Sequence, residues 1–121
     1  MQTIQNAIDG RKVTSASARL APVYDPATGE QTAQLPLSTA DEVSAAVAAA
    51  KQAAVGWGTT PPLKRMKPMF RFKALLDRHA RDIARVISKE HGKTHVDALG
   101  ELARGIDVVD FACGIPHLLK G

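Results

Sequence analysis

Cys113 and His117 are the residues whose types and spacing first invite chemistry. A thiol with an imidazole four residues on is half of a thiolate nucleophile, because the ring can take the thiol proton. That spacing brings the two together only on an unbroken helix, and Gly114 and Pro116 stand between them. Cys113 also closes the series Leu99, Leu102, Ile106, Val109, Cys113, spaced 3, 4, 3, 4. Such a stripe is a core face, and free cysteine is among the most buried residue types. The sequence therefore reads Cys113 as a packing residue and assigns no catalytic residue.

Other constellations are weaker. His91, His95, Cys113 and His117 have ligand-like spacing, but structural zinc sites usually open with a C-x-x-C pair, and a single sulfur is present here; no metal ligand is assigned. HGKT resembles the end of a phosphate-binding loop, yet position 87, where the first glycine would fall, is Ile87. LKRMKPMFRFK places Lys64, Lys67, Arg71 and Arg78 on one helical face. Its expected form is an amphipathic helix with Phe70 and Phe72 turned inward, not a nucleic-acid surface with bases stacked on the rings. Arg104 faces away from the Leu99-to-Cys113 stripe, one turn after Glu101. Two readings stay open for it: a surface ion pair with Glu101, or a guanidinium fork that holds a substrate carboxylate.

The elements that must position these residues change character along the chain. Residues 1–37 read as short strands and turns. Asp9-Gly10 is a hairpin turn, and LAPVY and QTAQLPL flank a turn at DPATGE. Pro22 and Pro36 confine those strands to edges or strand ends. Residues 38–121 read as three to four helices. Thr39 and Glu42 form a capping box, and Val43, Ala46, Val47, Ala50 and Ala54 make an apolar stripe that Gly56 and Gly58 are expected to end. A second helix begins near Thr60-Pro61 with Met69, Phe72, Leu76, Ala80, Ile83 and Ile87 inward, as one long helix or two in tandem, in which Pro68 either makes a kink or moves the true start. The last helix starts at Thr94 and carries Gly100 and Gly105, glycines that predict a close-packed neighbour.

Composition sets the outer limits. A chain of 121 residues fits one domain, but aromatics are 4% and alanine dominates the apolar share, so burial yields little area per residue. A net charge of +4 decides little about partners. One cysteine excludes an internal disulfide framework and fits a reducing compartment. No signal-peptide or membrane-spanning stretch is evident, and the expected location is cytoplasmic.

NAIDGRKV, PVYDPATGE, PLSTADEV, EHGKTHVDALGE and RGIDVVDFACGIPHLLKG together resemble the N-terminal segment of aldehyde dehydrogenases. The similarity is greatest to the CoA-acylating methylmalonate-semialdehyde dehydrogenase branch. The resemblance implies an α/β parent with the aldehyde dehydrogenase fold, in which residues 1–37 belong to the oligomerisation region and residues 38–121 pack on the NAD-binding domain. It implies NAD and coenzyme A as cofactors, a small aldehyde carboxylate as substrate, and a homo-oligomer, dimer or tetramer, with no nucleic-acid or membrane partner. The nucleophilic cysteine and the cofactor contacts are expected outside these residues, and this segment alone is expected to be inactive. Only Arg104 carries over, as a substrate-binding residue. The rival from another class is a small helical interaction module that associates through residues 1–37 without catalysis.

Overall fold

In the computed structural model, which describes all 121 residues, Asp9 and Gly10 have φ angles of 52° and 70°. Both central residues of a type I′ turn need positive φ, and the pair meets that need. The elements run β1 (Gln2–Thr3), β2 (Asn6–Ile8), β3 (Arg11–Val13), β4 (Leu20–Tyr24), β5 (Gln31–Pro36), α1 (Ala40–Thr59), α2 (Pro62–Arg78), α3 (Ala80–His91), α4 (His95–Cys113) and α5 (Ile115–Leu118). They form two compact units, Met1–Thr59 and Thr60–Gly121.

In the first unit β2 and β3 make the Asp9-Gly10 hairpin. A second sheet has the order β1-β5-β4, β1 parallel and β4 antiparallel to β5. Pro22 lies on the edge strand β4 and Pro36 is the last residue of β5, so neither removes a ladder bond from a strand interior. Asp25 builds the connecting turn, its Oδ1 accepting from the amides of Ala27 (2.8 Å) and Thr28 (3.3 Å). The start of α1 is a capping box: the Thr39 amide donates to Glu42 Oε2 (2.8 Å) and the Glu42 amide to Thr39 Oγ1 (3.2 Å). The same carboxylate accepts from Ser15 Oγ and the Ala16 amide, both at 2.7 Å. Glu42 thereby ties the loop before β4 to α1, and these bonds, the Thr39 amide's first, hold its carboxyl below the usual range.

Two expectations for α1 need correction. The helix passes through Gly56 and Gly58 to Thr59. Neither glycine takes a positive φ, and the Thr59 hydroxyl donates to the Gly56 carbonyl at 3.0 Å, satisfying the terminus before Pro61 blocks it. The stripe itself is poorly covered, with Val47 61% exposed. Val43, Ala46, Val47 and Ala50 line, with Ala7 and Ile8 of the hairpin, an open groove of about 390 Å³.

The second unit is helical. The tandem alternative holds: α2 and α3 meet at His79, whose φ, ψ of −104°, 13° interrupts the helix, and Pro68 lies inside α2. Gly92 ends α3 in the left-handed conformation at φ 83°. Ala84 of α3 and Ala98 of α4 are fully buried, so these two helices meet through small residues. Lys73 of α2 pairs with Asp77 (2.8 Å) and reaches Asp110 of α4 (3.4 Å). The phenylalanines depart from the expected pattern: Phe70 is 58% and Phe72 47% exposed. One side of α2 meets α4, and its remaining apolar surface has no neighbour here.

The chain exposes 9161 Å². Two separate units, each half of 12.9 kDa, would expose about 7,600 Å² together if packed like ordinary domains. The chain exceeds this by about 1,500 Å².

Candidate functional site

The chemistry-bearing residues sort themselves by burial. Cys113 is buried at the end of α4, in the stripe the sequence assigned to it. Gly114 follows as the cap and His117 sits exposed in the single turn of α5, so the chain does not continue as one helix between thiol and imidazole. No group of three or more His, Cys, Asp or Glu side chains is gathered in a way that could hold a metal.

Arg104 stands apart from these. Helix α4 is held by Thr94, whose hydroxyl accepts from the Asp97 amide (3.2 Å) and donates to Asp97 Oδ2 (2.7 Å). Inward it turns Ala98, Leu99, Leu102, Ile106, Val109 and Cys113, all buried or half-buried. Spacings of four, four and three then place Gly100, Arg104, Val108 and Phe111 on the opposite, exposed face. Phe111 is 70% and Val108 68% exposed. A guanidinium flanked by uncovered apolar side chains is suited to a small organic anion, which it can bind by a two-point hydrogen bond beside an apolar contact.

The surface ion pair anticipated for Arg104 does not form. Glu101 instead gives its Oε2 to Lys93 Nζ. The Lys93 ammonium, with smaller contributions from His91 and Arg104, holds the Glu101 carboxyl below its ordinary range. Arg104 itself makes no hydrogen bond or ion pair. Lys93 was not legible as part of this cluster. It lies outside the helix and eight residues from Glu101, where no helical spacing rule connects them.

The glycines on α4 also differ from expectation. A Cβ on Gly100 or Gly105 would meet no atom within 4 Å, so no neighbour within the chain demands them. Helical side chains lean toward the N-terminus and cover the preceding turn. Gly100 lies one turn before Arg104 on the same exposed face, and its lack of a side chain leaves that position open. Nothing in the structure explains Gly105.

Strand β5 enters α1 through Leu37, Ser38 and Thr39, without the glycines that let backbone amides cradle phosphate.

The aldehyde dehydrogenase family pattern matches residues 12–121. Malonate-semialdehyde dehydrogenase 1 of Geobacillus thermodenitrificans is 43% identical over 121 residues, which is 100% of this chain and 25% of that protein. The crystal structure of methylmalonate-semialdehyde dehydrogenase from Oceanimonas doudoroffii superposes with a TM-score of 0.94 at 50% identity, covering 100% of this chain and 25% of that one. A Sinorhizobium meliloti protein described as a methylmalonate-semialdehyde dehydrogenase, solved with NAD, gives 0.91 at 38% identity, covering 98% and 24%. The chain thus spans about a quarter of the length of the relatives it matches.

Proposed function

We propose that this chain, which belongs to the aldehyde dehydrogenase family, is the N-terminal part of an NAD-dependent, CoA-acylating (methyl)malonate-semialdehyde dehydrogenase. The observation that carries the reading is Arg104: an exposed, unpaired guanidinium between Gly100, Val108 and Phe111 on the outer face of α4. In the whole enzyme it binds the carboxylate of the semialdehyde and so orients the aldehyde end toward a nucleophilic cysteine supplied by the rest of the polypeptide. NAD takes up the hydride and coenzyme A the acyl group in this reading, and neither is held by residues of this segment. Residues 38–121 pack on the NAD-binding domain, residues 1–37 serve oligomerisation as a dimer or tetramer, and the enzyme works in the cytoplasm. The uncovered faces of α1, α2 and α4 support such packing, since they leave apolar surface for more polypeptide to cover.

The test is Arg104→Leu in an enzyme of the relatives' length that begins with this segment. A charge-assisted hydrogen bond contributes about 1.5–3 kcal/mol, and the exposure of Arg104 favours the lower end. The preference for malonate semialdehyde over propanal, measured as the ratio of kcat/KM values, should fall about tenfold. An unchanged ratio refutes the clamp.

A further inference from the structure

We propose that Lys93 is a positioning residue: by holding the Glu101 carboxylate it keeps that group off Arg104 and leaves the guanidinium open to an incoming carboxylate. The inference rests on the substrate-binding role given to Arg104 above. Glu101 and Arg104 are one turn apart on α4, the spacing at which opposite charges normally pair. They do not pair here, because Glu101 Oε2 is taken by Lys93 Nζ. Lys93 is well placed to win. Its backbone is fixed on one side by the left-handed Gly92 and on the other by the Thr94 cap. Its side chain is only 21% exposed, so little freedom is lost in making the bond. The groups facing Glu101 are all cationic or potentially so: Lys93, His91 and Arg104. Remove Lys93 and the nearest permanent cation is Arg104, whose occupation by an internal carboxylate competes directly with substrate.

An exposed pair one turn apart is strong enough to occupy the guanidinium about half of the time or more. In Lys93→Met, KM for malonate semialdehyde should therefore rise about two- to threefold, with KM for propanal and kcat for both aldehydes little changed. Lys93→Arg should behave as wild type. Adding Glu101→Gln to Lys93→Met should restore KM, which a merely structural role for Lys93 would not do. A second readout needs no activity: in the 121-residue chain, the Arg104 side-chain ¹⁵N resonances should shift in Lys93→Met and return in the double variant. If Arg104→Leu abolishes the carboxylate preference but Lys93→Met keeps wild-type KM and unshifted Arg104 resonances, the role of Lys93 is overturned and the clamp stands. If Arg104→Leu leaves the preference intact, the clamp itself is overturned. Equal KM increases for both aldehydes, or no rescue by Glu101→Gln, also overturn the role of Lys93.

Discussion

Ala98 offers the sharpest test of how α4, and with it Arg104, is held. It is fully buried, as is Ala84 on the neighbouring α3, and helices that meet through alanine approach at the short end of the usual 8–10 Å spacing. Leucine at position 98 adds three carbon atoms where no space exists. Overpacking of this kind costs about 1–3 kcal/mol. For a unit of about 60 residues, each kcal/mol lowers the melting temperature by about 4–8 °C, so a mid-range cost of about 2 kcal/mol corresponds to about 8–16 °C. The matched control is Ala103→Leu on the exposed side of the same helix. Alanine and leucine have nearly equal helix propensity, so the control should stay within about 0.5 kcal/mol. Both variants would be followed by thermal unfolding in far-UV circular dichroism. If Ala98→Leu melts no lower than Ala103→Leu, α4 does not rest on its alanine face and the outward placement of Arg104 loses its support.

Two further outcomes are expected. Glu42 has a folded pKa below its ordinary value of 4.5, so its contribution is complete above that value and is lost as the pH falls through the lowered folded pKa. Acid unfolding curves of wild type and Glu42→Gln should therefore converge as the pH falls below 4.5 and through the lowered folded pKa, and curves that stay parallel would refute the tie between Ser15, Ala16 and α1. The 121-residue chain by itself should form no NADH from NAD and malonate semialdehyde, because on the proposed reading the nucleophilic cysteine and the cofactor contacts belong to the rest of the polypeptide. Aldehyde-dependent absorbance of NADH above a no-enzyme control would contradict this.

What could be read in the sequence was whatever depends on neighbours along the chain. Asp9-Gly10, the Thr39-Glu42 box and the Thr94 start each need only three or four residues to define them, and each is present in the structure. The inward stripe of α4 was legible for the same reason, since its partners recur at a fixed period. Interactions that join distant or off-register residues were not legible. Glu42 draws in Ser15 and Ala16 across 27 and 26 positions, and Lys93 reaches Glu101 from outside the helix.

The remaining departures all have one sign. Val47, Phe70 and Phe72 were expected to be covered and are open, and Gly100 and Gly105 were expected to meet a close neighbour and meet none. A chain that misfolded its own pattern would err in both directions, burying polar groups as well as exposing apolar ones. No polar or charged residue is buried as a whole, and the covered polar side-chain atoms without a partner are two, Arg65 Nε and Ser88 Oγ. Apolar faces without internal partners, helical glycines that cost roughly 1 kcal/mol each without an internal gain, and a guanidinium kept free of its neighbouring carboxylate share one economical explanation. On the proposed reading they are surfaces for what lies against them in a protein of the relatives' length, the apolar faces of α1 and α2 for more polypeptide and Arg104 for a small carboxylate.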